Sequence, residues 1–132
     1  MREGTDVGVL GVGIDLVPAS RVDAMISRHG ERALRRLFTA AERERAAEYA
    51  QASLHLAARI AAKEAAYKAL AGDFGASGIG WQDLEVRRAA DGRPDLVFHG
   101  AAQRRMEALG ATRCHLSLTH AGGVAAAVVV LE

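Results

Sequence analysis

Residues 59–70, RIAAKEAAYKAL, decide how the chain is read. Alanine and leucine dominate the stretch, so helix propensity is high. Nearly every position is apolar or small, and a helix that is apolar nearly all round is a buried one. Four charges interrupt it: Arg59, Lys63, Glu64 and Lys68. At about 100° per residue, Arg59 and Lys63 fall about 40° apart, and so do Glu64 and Lys68. The helix therefore carries two polar ridges on an apolar cylinder. On a surface, the Glu64–Lys68 pair would be worth a few tenths of a kcal/mol. In a buried helix such charges are expensive unless they are paired or hold an ion.

Working outward, Ser53 is placed to cap this helix, which runs to Gly72. The segment GDFGASGIG, residues 72–80, follows as a glycine-rich loop able to pass close to a ligand. It is no P-loop, since no Gly-Lys-Ser/Thr completes it. WQDLEVRR and DLVFH read as two strands joined by the turn ADGRP. AAQRRMEALG reads as a short helix closed by Gly110. The C-terminal residues form a hairpin, LSLTH and VAAAVVVL around Ala121-Gly122-Gly123. His115, Ser117 and Thr119 alternate to one face, and Cys114, Leu116, Leu118 and His120 to the other. The unbroken apolar run of the last strand predicts burial on both its faces.

On the N-terminal side, VGVLGVGIDLV, residues 7–17, reads as a strand. Val12, Ile14 and Leu16 share one face; Gly11, Gly13 and Asp15 share the other. Two glycines beside a carboxylate clear space for a close approach to the backbone. Ser20 with Asp23 looks like a helix start, and Gly30 stops that helix. ERALRRLF turns Leu34, Leu37 and Phe38 inward. Thr39-Ala40-Ala41-Glu42 is a capping box that opens a polar helix reaching about Tyr49.

The chain of 132 residues is one domain, 1–132, and the mixture of helices with antiparallel hairpins makes it α+β. With 5% aromatic residues, its core must be built from Ala, Val, Leu and Ile. Net charge is +1, which gives no global argument for nucleic acid or an anionic membrane. Residues 21–45 nevertheless hold seven arginines against four acids, leaving room for an acidic partner. One cysteine, Cys114, excludes an internal disulfide and fits a reducing cytoplasm. No apolar run spans a bilayer, and MREGTD is no signal peptide.

Zinc is disfavoured by a single cysteine and by the absence of paired histidine spacing. No local motif assembles a Ser-His-Asp triad. Two carboxylates on rigid elements remain, Asp15 on a strand and Glu64 on a helix. One or two carboxylates plus substrate phosphates is the usual way Mg²⁺ is held. Arg59, Lys63 and Lys68 beside such a site would bind phosphate oxygens. The residues thus point to a magnesium-dependent phosphoryl or nucleotidyl-type site.

Three ordered motifs, GVGIDLV, ARIAAKEAAYKAL and LSLTH, resemble the holo-[acyl-carrier-protein] synthase family, small trimeric 4′-phosphopantetheinyl transferases. The likeness runs from about Gly8 to Glu132 and includes LFTAAE, the GIG loop, DLEV and DGRPDL. It implies the 4′-phosphopantetheinyl transferase fold, an antiparallel sheet packed against a long central helix and shorter helices. It implies transfer of the 4′-phosphopantetheine arm of coenzyme A to a serine of an acyl carrier protein, releasing adenosine 3′,5′-bisphosphate. In that family Asp15 and Glu64 would bind Mg²⁺, and Lys68 would lie beside the phosphates. Arg59, Lys63, Ser117, His120 and the turn Gly92-Arg93-Pro94 would surround coenzyme A. Arg21 and Arg28 would receive the acidic helix of the carrier, in fatty acid or polyketide synthesis. The small members are homotrimers with sites between subunits. Ala58, Ile60, Ala66 and Ala121 depart from the family's commoner residues. The general base stays open between Glu64 and a metal-oriented water. Two rival readings are a nuclease using Asp plus Glu-x-x-x-Lys, which the charge balance disfavours, and a non-catalytic oligomeric module, which the intact Asp15, Glu64 and Lys68 disfavour.

Overall fold

A computed structural model describes residues 8–71 and 78–132. Its organising element is α4, Ala52–Ala71. Ala57, Ile60, Ala61, Ala62, Ala65, Ala66 and Leu70 on it are buried, as the alanine-rich composition predicts. Strand β1 (Gly11–Pro18) crosses it, followed by α1 (Ala19–His29), α2 (Glu31–Leu37) and α3 (Ala40–Ala47). After α4 come a 3₁₀ turn (Trp81–Asp83), the hairpin β2 (Leu84–Arg88) and β3 (Pro94–Phe98), and α5 (Gly100–Leu109). The chain ends in the hairpin β4 (Cys114–Ala121) and β5 (Val124–Leu131). The strands form two antiparallel sheets, β1-β5-β4 and β2-β3. The α+β expectation, with an antiparallel sheet against a long central helix, is met.

The N-terminal glycines have a clear cause. A Cβ built on Gly13 would lie 1.7 Å from the carbonyl oxygen of Ala65, and one on Gly11 2.1 Å from that of Ala69. What approaches the strand so closely is therefore the backbone of α4. Only residues without a side chain allow this contact, and it holds Asp15, two positions on, against the same helix.

Three local expectations need correction. Ser20 does not cap α1, which begins at Ala19 directly after Pro18 with no side-chain cap. Ser53 does not cap α4 either; its hydroxyl donates to Asp23 and so ties α1 to α4. The expected helix stop at Gly72 lies outside the described residues, as does most of the glycine-rich loop. The capping box at Thr39 is present: Thr39 N–H donates to Glu42 at 2.9 Å and Glu42 N–H to the Thr39 hydroxyl at 3.2 Å. Gly110 closes α5 in the left-handed conformation, φ 77°. Gly122 and Gly123, φ 59° and 77°, make the tight turn between β4 and β5.

β5 is buried on one face, not on both. Ala125, Ala127, Val129 and Leu131 are in the core. Val124, Ala126, Val128 and Val130 are half-buried on the opposite face. Register places Val130, Val128 and Ala126 beside Val12, Ile14 and Leu16. Those three are 57%, 64% and 64% exposed, so the β1–β5 part of this face is apolar and uncovered within a single chain, while β4 adds His115, Ser117 and Thr119 at its edge.

Lys63 is almost fully buried, as is its partner Glu42. Its ammonium donates to Glu42 at 2.7 Å and to the Trp81 carbonyl at 2.9 Å, and lies 5.6 Å from the centre of the Phe38 ring. Glu42 also accepts from Val86 N–H at 2.9 Å. One carboxylate thus joins α3, α4 and β2.

Two substitutions test this packing. Gly13→Ala should lower unfolding stability by about 2–3 kcal/mol in urea titration, because the new methyl must push the strand off the helix. A loss within about 0.5 kcal/mol, the ordinary range of an unconstrained site, would refute the contact. Lys63→Met should lose about 3–5 kcal/mol, since it leaves the Glu42 carboxylate buried and unpaired.

Candidate active site

The face of α4 next to Lys63 carries Glu64 and Lys68, and β1 delivers Asp15 to it. Lys68 Nζ donates to the Ile14 carbonyl and to Asp15 Oδ1, both at 3.0 Å. The guanidinium of Arg21, from α1, donates to Glu64 Oε1 at 2.7 Å. Asp15 Oδ2 is buried and has no partner. Two carboxylates from elements far apart in sequence thus lie side by side.

The charges respond to that proximity. Burial pushes the Glu64 carboxyl above its ordinary range, and the neighbouring Asp15 adds to the shift, while Arg21 opposes it. Burial also works to raise Asp15, but the adjoining Glu64 carboxyl and the hydrogen bond and charge of Lys68 outweigh it and hold the group below its ordinary value. Arg21 is raised chiefly by its bond to Glu64.

Two carboxylates, one carrying an orphaned buried oxygen, fit a hard divalent cation such as Mg²⁺. Among the described residues no cluster of three or more His, Cys, Asp or Glu is gathered. The protein side of such a site would consist of Asp15 and Glu64, leaving the remaining positions for water and substrate oxygens, the usual arrangement for magnesium.

Beside the carboxylates, a cavity of about 320 Å³ is lined by Glu64, Tyr67, Lys68, Ile79, Trp81 and Leu84 among others. A second cavity, about 370 Å³, lies elsewhere on α4 and is lined by His55, Arg59, Arg88, Gly92, Pro94 and His120 among others. Arg59 is 7% exposed, and its Nε has no partner. Burial pushes its guanidinium down, against the attraction of Glu42. A third depression between α1 and α4 includes Arg21, Met25, Arg28, Leu37, Ile60 and Trp81.

The expected residues therefore separate into groups. Asp15, Glu64, Lys68 and Arg21 meet. Arg59, Gly92, Pro94 and His120 meet in the second cavity. Arg93 points away, its guanidinium paired with Asp91 at 2.7 Å on the surface. Lys63, expected beside phosphates, has its ammonium in the buried pair with Glu42, because the helix turns that position toward α3 and β2. Ser117 is exposed, opposite Val128 on the outer face of the sheet, whereas His120 shares the inner-face register. Arg28 is exposed near Arg21 on α1. Burial pushes the Cys114 thiol up to about 12, in keeping with an inert side chain.

Sequence reasoning missed Glu42 as an ion-pair partner, because its capping role accounted for it and Lys63 is 21 residues away. It also missed His55, Tyr49 and Arg88. For His55 a signal existed, since it precedes Arg59 by one helical turn.

The chain matches the 4′-phosphopantetheinyl transferase superfamily over residues 11–129. It is 48% identical over 124 residues to the holo-[acyl-carrier-protein] synthase of Nitratidesulfovibrio vulgaris, covering 94% of this chain and 98% of that one. The fold is similar to the crystal structure of holo-[acyl-carrier-protein] synthase from Neisseria meningitidis, with a TM-score of 0.84, 27% identity and coverage of 95% and 99%. It is also similar to the ACPS–CoA complex of Chronobacterium ammoniagenes, with a TM-score of 0.80, 30% identity and coverage of 96% and 98%. The fold agrees with these comparisons, and the chain belongs to the 4′-phosphopantetheinyl transferase superfamily, in its holo-[acyl-carrier-protein] synthase family.

Proposed function

We propose that the chain transfers the 4′-phosphopantetheine group of coenzyme A to a serine hydroxyl of an acyl carrier protein, with Mg²⁺, releasing adenosine 3′,5′-bisphosphate. The observation that carries the reading is the meeting of Asp15, Glu64 and Lys68, two carboxylates and a cation brought to one face of a rigid helix. Asp15 and Glu64 hold the metal, which when bound supplies Lewis-acid stabilisation of pyrophosphate oxygens. Lys68, anchored by the Ile14 carbonyl, faces the same group and offsets charge that develops on it. The serine oxygen attacks the phosphorus of the pantetheine phosphate as its proton passes to Glu64 or to a water, and the bond to the bridging oxygen breaks. The electron pair leaves with the bisphosphate. The nucleophile belongs to the partner, so none is required of this chain.

Arg59, His120, Gly92 and Pro94 are proposed to surround the nucleotide of coenzyme A, in the cavity where a buried guanidinium lacks a partner. Arg21 and Arg28 are proposed to receive the acidic surface of the carrier, across a depression with an apolar floor of Met25, Leu37 and Ile60. The carrier serves fatty acid or polyketide synthesis, and the reaction takes place in the cytoplasm. Among the described residues no helix is long and apolar enough to cross a membrane.

A homotrimer is part of the proposal. The uncovered face of Val12, Ile14 and Leu16 supports it, because so large an apolar strip is costly in water. Helix geometry supports it as well. Arg59 and Glu64 are five residues apart, so they point about 140° from one another around α4. One ligand reaching both within a chain must turn round the helix. Between neighbouring subunits, the nucleotide cavity of one can face the carboxylates of the next.

Incubation with an apo acyl carrier protein, coenzyme A and Mg²⁺ should add the mass of one phosphopantetheine group per carrier, and a chelator should abolish it. Glu64→Gln should lower kcat/KM by about a hundredfold or more, the scale of losing one group that stabilises transition-state charge. Near-wild-type magnesium-dependent transfer by that variant would remove Glu64 from the metal site. Sedimentation at micromolar concentration should give a trimer, and Ile14→Asp should give monomers. A wild-type monomer would count against sites shared between subunits.

A further inference from the structure

The cavity beside Arg59 holds a side chain with no assigned role. His55 lines it, and its Nε2 is buried without a partner, like Nε of Arg59. The imidazole is stacked on Tyr49, with centroids 4.1 Å apart and planes 24° from parallel. The Tyr49 hydroxyl accepts from Arg88 at 2.8 Å and from Arg45 at 3.3 Å, so the stacking partner is itself held in place.

The ionisable side chains around His55 are mostly basic. α4 contributes Arg59, α3 Arg45, β2 Arg87 and Arg88, and β4 His120. The β2–β3 turn contributes Gly92 and Pro94, while Arg93 there is paired with Asp91. Glu48 is paired with Arg45 at 3.3 Å, and Glu42 with Lys63 at 2.7 Å. No acid lines the cavity among the described residues. Burial first, then the charges of Arg59, Arg45 and Arg88, push the imidazole down to about 4, so it is neutral near pH 7. A phosphate entering the cavity reverses the sign of that field. The free Nε2 then gains an acceptor, and the charged form of the ring gains a counter-ion.

We propose that His55 is a proton-coupled phosphate contact, neutral in the free protein and an imidazolium donor when a nucleotide phosphate occupies the cavity. The inference rests on reading this cavity as the coenzyme A nucleotide site. His55 is a binding residue and takes no part in bond breaking.

Calorimetric titration of the intact protein with coenzyme A near pH 7, in two phosphate-free buffers of different ionisation enthalpy, counts the protons taken up. Wild type should take up more than His55→Phe, by up to about one proton per site. The ligand's own 3′-phosphate, with a second pKa of about 6, contributes equally to both and cancels. Because a proton is gained on binding, wild-type affinity should be greatest at low pH. Relative to His55→Phe, it should fall by up to about tenfold per unit between pH 6 and 8. His55→Gln, which keeps a polar group, should behave like His55→Phe. Equal proton uptake in wild type and both variants, with Kd shifted alike at every pH, would reduce His55 to packing against Tyr49 and overturn the inference while leaving the site reading intact. Failure of wild type to bind coenzyme A would overturn both.

Discussion

The buried ion pair between Lys63 and Glu42 sets the orientation of everything that matters in this molecule. Two charges with no exposed side-chain surface are tolerable only with near-complete hydrogen bonding. Here Glu42 receives three donors, from Thr39, Lys63 and Val86, and Lys63 gives a second bond to the Trp81 carbonyl. Such a pair contributes little net stability compared with apolar residues of the same size. Its effect is on geometry. With Lys63 committed to α3 and β2, the rotation of α4 about its axis is settled. Glu64 is then carried about 100° round the helix, toward Arg21 and the β1 strand that holds Asp15. A lysine whose ammonium is committed to a buried pair decides where the Glu64–Lys68 face points.

The strand side of the site has a complementary constraint. Gly11 and Gly13 let β1 lie against the carbonyls of α4, closer than any side chain permits. Asp15 follows at the same alternation, so its carboxylate arrives beside Glu64 and Lys68. The cost of this arrangement is visible in the orphaned Asp15 oxygen and in the upward shift of Glu64. Arg21 and Lys68 offset part of it. A divalent cation would offset the rest, and this is why the cluster reads as a metal site and not merely as a pair of salt bridges. The same helix presents a second polar concentration on a different face, where Arg59 and His55 lie among arginines and, among the described residues, no acid lines the cavity. The uncompensated cations there suit a phosphate, while near Asp15 it is an orphaned carboxylate oxygen that a divalent cation would meet.

Much of the fold was legible in the residues. The alanine-rich composition of α4, the Thr-x-x-Glu capping box, the glycine turn between β4 and β5 and the alternation of β1 each rest on short-range chemistry. Such features survive in any tertiary context. The expected cap at Ser53 fails because a hydroxyl that could accept from its own helix can as well donate to a distant carboxylate, and Ser53 donates to Asp23 across 30 residues. Ser20 lies inside α1, which starts at Ala19. Burial of β5 on both faces was overestimated, because apolar continuity does not say whether the covering layer comes from the same chain.

The sequence by itself determined the family, the helix with its two charged ridges, and the candidates Asp15, Glu64 and Lys68. These depend on residue types at fixed local spacing, and local spacing is set by the backbone. Only the tertiary structure decided which ridge is which. Lys63 went to a buried partner 21 residues earlier, Arg59 and His55 to a cation-rich cavity, and Glu64 to a carboxylate 49 positions upstream. Charges interact across space at distances that chain separation does not encode, so the pairing of ions becomes readable only when the elements carrying them are packed.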